Sequence, residues 1–458
     1  MNIPLPKFLS IAFLSLTTII TSCGSDDNEA QTSNPTDFEG TVSYVKTFGG
    51  SGVDIAVDIV EANNGNYVIV GTTTSTDGDI SGKTTSDQDY WMLEITPEGS
   101  MVSNQTYGGS QDDVVSSVSK TSDGGYIMSG YSRSTDGDVS ENAGFQDFWL
   151  VKTNSTGTIQ WEQSFGFLGT DQAFNVFETS TGNFFATGFL DVTASGGEGN
   201  DATTSGNDDT RGVLHGVGEF WGILMDSNGN KLWRRYFGGS NNDRSYDAIE
   251  TNDGGFLMTG ASESVDFDIT DDKGSYDFWA VRLDVNGNKL WTKSFGGSEI
   301  DISYAVAKTT DNGYILVGDT RSSDKDVSNL YGNADVWAVK FNDDGAIVWE
   351  QNYGGASFDS ARDIKKLNNG DFAIVGNSRS GTGDYTNNYG QNDIMLMTID
   401  ANGNLKYSYT AGGSGLDFGD ALIQTQDNSI VLVGNTESND NDITTNRGIK
   451  DVVVIKIK

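Results

Sequence analysis

Acidic and hydroxyl side chains recur in this sequence at the spacing of oxygen ligands in a cation-binding loop. The stretch STDGDVSENAGFQDFW, from Ser134 to Trp149, places Asp136, Asp138 and Ser140 at alternate positions, and Asp147 closes it. Hard cations such as Ca²⁺ take about six to eight oxygens, and alternate side chains on a tight loop can supply several of them. The pattern returns as Asp266, Asp268, Thr270 and Asp277, as Asp324, Asp326, Ser328 and Asp335, and as Asp440, Asp442, Thr444 and Asp451. Asp77, Asp79 and Ser81 begin another copy, closed one residue late by Asp89. A further copy has Thr382 in place of the first acid and keeps Asp384, Thr386 and Asp393.

Two readings of these residues stand. In one, some loops hold Ca²⁺, and no other cofactor is expected. In the other, the short Asp and Ser side chains hold a turn by accepting backbone N–H bonds and pin the loop to a neighbouring aspartate. An EF-hand loop needs glycine at its sixth position and a bidentate glutamate at its end. Here the sixth position holds Glu141, Asp271, Asn329 or Thr445, and the closing acid is aspartate at the start of a strand-like run.

One copy departs from the pattern. Between Leu190 and Trp221 a longer loop contains Glu198, Asp208, Asp209, Arg211 and the single histidine, His215. A long, asymmetric loop on a repetitive scaffold is a common seat of function. Asp208, Asp209, Arg211 and His215 are therefore the ligand-binding candidates, with a drifted insertion as the alternative. Glycosidases need two carboxylates about 5–10 Å apart, and this chain has acids in abundance. They recur in every copy, as structural residues do. No nucleophile elbow, P-loop, zinc-protease helix or Cys-x-x-Cys motif is present, so no catalytic residue is assigned and a non-enzyme is expected. A glycan-cleaving hydrolase or lyase is the rival reading.

The elements that position these residues come from a repeat. Its anchors are FGGSGVD at Phe48, YGGSQDD at Tyr107, FGFLGTD at Phe165, FGGSNND at Phe237, FGGSEID at Phe295, YGGASFD at Tyr353 and AGGSGLD at Ala411. Each unit reads as four short strands separated by DGG-type and NGN-type turns, which are hairpin signals. Tryptophans occupy two equivalent places, on the third and fourth strands, where inter-unit packing is the simplest role. Four antiparallel strands repeated radially predict an all-β, seven-bladed β-propeller over residues 42–458. The last copy stops at its third strand, DVVVIKIK, whereas TVSYVKTF precedes the first anchor with Tyr44 in the tryptophan place. The N-terminal strand is thus expected to complete the last blade and remove free sheet edges.

These motifs (F-G-G-S-x-x-D, D-G-G-Y, D-G-D-V-S, D-x-W) resemble the propeller repeats of Bacteroidota-type surface lipoproteins and are similar to the bacterial β-propeller repeat family. The resemblance covers most of the chain and implies fold far more than activity.

Residues 1–23 read as a signal peptide: Lys7, an apolar run from Phe8 to Ile20, and Ile20-Thr21-Ser22-Cys23, which resembles a lipobox with Cys23 as the lipidated residue. Cys23 is the only cysteine, so an internal disulfide is excluded. The acidic GSDDNE that follows resembles a surface-export signal, and residues 24–41 read as a polar tether. The formal net charge is −37, from 65 acidic and 28 basic residues. That balance disfavours nucleic acid and anionic headgroups. The expectation is a monomeric outer-membrane lipoprotein, exposed at the cell surface, that binds a neutral glycan or a protein. A purely structural spacer is the other non-catalytic reading.

Overall fold

The computed structural model describes Met1, Phe38 and residues 40–201, 215–385 and 387–458. Cys23 and the stretch read as a signal peptide, nearly all of the stretch read as a tether, and Asp208, Asp209, Arg211 and Thr386 lie outside the described residues. The chain divides into a unit Met1–Thr36 and a unit Asp37–Lys458, and the second carries every strand. No helix among the described residues is long and apolar enough to cross a membrane.

Each blade repeats one antiparallel meander. In the first, Asp54–Glu61 pairs with Tyr67–Thr73, then Asp89–Ile95, then Met101–Tyr107. Seven such four-stranded sheets form the ring of a β-propeller. The middle strands, such as Tyr67–Thr73, are buried along their whole length because a neighbouring blade covers each face. The outer strands are half exposed and alternate less strictly. The last sheet takes Val42–Phe48 as its outer strand, paired with Asp451–Ile457, so the predicted closure holds. Thr41 and Lys458 extend the clasp, each donating its N–H to the other's carbonyl at 2.9 and 2.8 Å. Within the stretch read as tether, Phe38 already packs edge-on against Tyr407 at 5.2 Å, so ordered contact begins before residue 42.

The tryptophans pack blade to blade. Trp149, Trp221, Trp279 and Trp337 are fully buried. Each meets an aromatic ring of the preceding blade: Tyr90–Trp149 at 4.6 Å, Phe148–Trp221 at 4.8 Å, Phe220–Trp279 at 4.6 Å and Phe278–Trp337 at 4.7 Å. Such pairs add about 0.5–1.5 kcal/mol beyond the area they bury. The outer-strand tryptophans cover the turn of the next blade. A Cβ on Gly287 would lie 2.9 Å from the ring of Trp233, and one on Gly99 would lie 3.2 Å from Tyr44. Tyr44 therefore does fill the tryptophan place.

Every inner strand carries a β-bulge, visible as a register shift at Ala56/Asp58 and at the matching site in the other six blades. A bulge re-aims the side chains beside it, and two layers of the central channel depend on that.

Candidate functional site

The alternating acids sit in the loop between the second and third strands and grip the link that enters their own blade. Asp136 accepts the N–H of Ser110 at 2.8 Å, and Asp138 that of Gly108 at 3.2 Å. Asp77 and Asp79 hold Ser51 and Gly49 in the same way, at 2.7 and 3.0 Å. Asp266 and Asp268 hold Ser240 and Gly238 at 2.8 and 3.1 Å. Asp324 and Asp326 hold Ser298 and Gly296 at 2.8 and 3.4 Å, and Asp440 and Asp442 hold Ser414 and Gly412 at 2.7 and 3.5 Å. Where Thr382 replaces the first acid, Asp384 keeps its bond to Gly354 at 2.9 Å. The partner is the backbone of the anchor, not its aspartate as the spacing suggested. Among the described residues no group of three or more His, Cys, Asp or Glu side chains is arranged to hold a metal ion. The geometry favours the turn-building role.

The anchor aspartates bind the loop from beneath. Asp54 accepts from the Thr73 hydroxyl, from Ser75 Oγ at 2.7 Å and from the N–H of Gly50 at 2.6 Å. The closing acids are not on a rim. Asp147, Asp277, Asp335 and Asp451 are all at most 2% exposed, wedged between blades. One oxygen of each accepts a nearby N–H, as Asp277 does from Lys273 at 2.5 Å. The other oxygen of Asp147, Asp277, Asp393 and Asp451 is buried without a hydrogen-bond partner. It faces the next blade's anchor acid: Asp277 Oδ1 and Asp301 Oδ2 lie 2.5 and 2.6 Å from where a Cβ on Gly296 would be. Only glycine fits there. Burial, with the Asp301 charge beside it, pushes Asp277 up to about 7, and Asp451 rises to about 6 by burial, with the charges of Asp54 and Asp79 adding to it.

In the third blade Glu219 takes the closing position and His215 lies against it, Nδ1 to Oε2 at 3.3 Å. The ring of His215 stacks on Phe267 at 4.4 Å and meets Tyr236 edge-on at 5.2 Å. His215 is 4% exposed, so it is a wedge between the third and fourth blades rather than a group offered on the face. Burial lowers its pKa and raises that of Glu219. A one-turn helix, Val192–Ser195, capped by Asp191, opens the long loop and was not foreseen.

The channel is the feature that sequence reasoning missed. After the bulge five of the seven inner strands carry a polar residue, Asp58, Ser117, Asn175, Asp247 and Asp363, while the fifth and seventh blades have Ala305 and Ala421 there. Asp58 accepts the N–H of Val118 at 2.8 Å, Asp247 that of Val306 at 2.9 Å and Asp363 that of Leu422 at 3.1 Å. Lys365 pairs with Asp363 at 2.7 Å, and the charges of Asp58 and Asp247 act on it as well, holding its pKa above the usual lysine value. Burial carries Asp58 up to about 6 and Asp247 up to about 7 despite that ammonium. The bulged residues form a second layer of Val57, Ser116, Phe174, Tyr246, Tyr304, Arg362 and Asp420. Phe174–Tyr246 and Tyr246–Tyr304 are 5.2 and 5.3 Å apart, and the Arg362 guanidinium lies 4.1 Å over Tyr304. The only sequence signal for this layer was its variation within an otherwise regular repeat.

The sheets themselves define the class, a seven-bladed β-propeller. No family model matches the chain. Over 173 residues it is 27% identical to the regulatory protein FlaEY of Caulobacter vibrioides, a match covering 35% of this chain and 18% of that protein. Among solved structures, the Pan2 WD40 domain of Neurospora crassa is 11% identical over 92% of this chain and 97% of that one, with a TM-score of 0.46. Virginiamycin B lyase from Staphylococcus aureus is 10% identical over 90% of this chain and 99% of that one, with a TM-score of 0.44. These are distant likenesses, and the fold rests on the strand pairing.

Proposed function

We propose that this protein is a non-catalytic binding module: a lipid-anchored, surface-exposed β-propeller that holds a glycan or a protein ligand. The observation that carries this reading is how the acids are used. The loop carboxylates are occupied by backbone N–H groups in blade after blade, and the buried ones face each other between blades. Neither arrangement leaves a distinctive acid–base pair facing solvent. The resemblance of the repeats to those of Bacteroidota-type lipoproteins, and the lipobox-like run ending at Cys23, support anchorage at the outer membrane. The test is a glycan array probed with residues 24–458, read with calcium and with chelator, beside membrane fractionation of Cys23→Ser. Retained ligand without turnover, and release of the variant from membranes, fit the proposal. Turnover of a polysaccharide lost on changing Asp208 or Asp209 would establish the hydrolase or lyase instead, and no ligand at all would leave a spacer.

A further inference from the structure

The channel mouth on the face of the anchors carries a cluster of arginines. Arg244, Arg321 and Arg379 are exposed there, and Arg362 is half-buried just below them. They form one connected patch. Arg321 and Arg379 both sit over the ring of Phe358, at 5.8 and 5.7 Å. Arg321 and Arg362 both act on the buried Asp319. A run of rings joins Arg362 to Arg244: Arg362 lies over Tyr304 at 4.1 Å, Tyr304, Tyr246, Phe174 and Phe189 follow one another at 5.3, 5.2 and 6.0 Å, and Arg244 lies over Phe189 at 4.7 Å. In a chain of net charge −37 most cations have an acid at contact distance. Here Arg244, Arg321 and Arg379 have no ion pair among the described residues; Arg379 reaches only the amide oxygen of Asn392, at 3.4 Å. Acids share this rim: at the place of Arg321 and Arg379 the third, fourth and seventh blades carry Asp191, Glu263 and Glu437, the last paired with Lys450 at 3.4 Å. Asp319 is buried and accepts from Ser360 at 2.7 Å, Asp420 accepts from Asn435 at 2.8 Å, and Glu263 is engaged by Tyr276 at 2.9 Å.

Beside the patch stands an apolar wall, the arc of Phe174, Tyr246 and Tyr304 over the third to fifth blades. Across from it the bulge residues are smaller, Val57 and Ser116. Further in, Lys365 and its three aspartates cross the bore. The result is a vestibule with an aromatic side, a guanidinium rim and, deeper, the ammonium of Lys365 beside Asp363. Guanidinium groups take carboxylates in a two-pronged grip that also fixes orientation. Aromatic faces take the C–H face of a pyranose ring. A ligand that alternates the two is a uronate-containing glycan.

We infer that this vestibule binds a carboxylate-bearing glycan, with Arg321, Arg362 and Arg379 on the carboxylates and Tyr246 and Tyr304 against the sugar rings. The inference rests on the binding-module reading and replaces the neutral ligand expected from net charge by an anionic one. It applies to one spot on an otherwise acidic surface, so electrostatic steering would bring the chain end to the mouth and away from the outer strands.

The experiment is calorimetric titration of residues 24–458 with oligogalacturonate and oligomannuronate, each compared with its methyl ester, which removes the charge and keeps the ring. The expected result is binding of an acid form that weakens at least about tenfold on esterification, and about tenfold again in Arg321→Gln/Arg379→Gln. Those two side chains are exposed, so the double variant should keep the wild-type melting temperature. Tyr304→Leu should weaken the acid form while leaving its salt dependence unchanged. Binding of neither acid oligomer would overturn the inference. So would equal affinity for acid and ester, or tighter binding of poly-glutamate than of either sugar. Binding of neutral glycans elsewhere would leave the binding-module reading intact, and cleavage of the bound oligomer would reject that reading while keeping the site.

Discussion

The hydroxyl of Tyr90 in the first blade donates to the backbone carbonyl of Trp149 in the second, at 3.0 Å, while the two rings lie 4.6 Å apart. One residue thus supplies both the apolar and the polar part of a blade junction. Trp149→Ala should cost about 3–5 kcal/mol in urea unfolding, as large buried aromatics do. Tyr90→Phe keeps the ring and should cost only about 1 kcal/mol. Trp161→Ala, on a half-exposed outer strand, should cost less than Trp149→Ala. Equal losses at Trp149 and Trp161 would contradict this account of the packing.

The loop acids should behave as turn-builders. Asp136→Ala frees an N–H that water can reach, so its cost is about 0.5–1.5 kcal/mol. Asp113→Ala strands three donors: the Ser132 hydroxyl, Ser134 Oγ at 2.9 Å and the N–H of Gly109 at 2.8 Å. Its cost should be several-fold larger. Chelator should leave the melting temperature unchanged, whereas a fall on adding EDTA would mean that an ion bound to the folded state contributes.

Stability should rise as the medium is acidified from pH 8 to 5. Asp277 and Asp247 are pushed up to about 7, and Asp58, Asp393 and Asp451 to about 6, in each case chiefly by burial. An unfolded aspartate titrates near about 3.9, so between that pH and 7 the folded state holds the extra protons. The stabilisation is complete below about pH 4 and is lost as pH climbs through 6 and 7. Asp277→Asn can still accept from Lys273 and can donate to Asp301. It should raise the melting temperature at pH 8 and bring no gain at pH 5. A lower melting temperature at pH 8 would show that the charged pair is not the strained element.

Removing the closing strand should open the ring. Without residues 1–48 the strand Asp451–Ile457 becomes a bare edge of apolar residues, a template for pairing with other chains. Size-exclusion chromatography should show oligomers or aggregate in place of a monomer. Adding a peptide of residues 38–48 should restore the monomer. A stable monomer without the strand would count against the clasp.

Much of this architecture was legible because propeller blades are local. Each hairpin lies within one unit, so NGN and DGG turns, alternating strands and the place of Tyr44 could be read by aligning copies. The acids were harder. Asp136 and Asp138 have the spacing of cation ligands, yet their partners are N–H groups of Ser110 and Gly108, far back in the chain. Local spacing cannot show that. The burial of Asp277 and His215 depends on a neighbouring blade, and the channel on seven blades at once. Phe174, Tyr246, Tyr304 and Arg362 share one repeat position, but nothing in a single unit shows that their side chains meet.

The clasp also has a consequence in time. Among the strands of the ring, Val42–Phe48 leaves the ribosome before all others, and its partner Asp451–Ile457 after all of them. Six blades can form from neighbouring segments, yet the seventh waits for the two ends to meet, a contact of very large sequence separation that is slow to form. Until then the ring is a row of blades with two open ends, so a nascent chain of this design stays unlocked until its last strand is made.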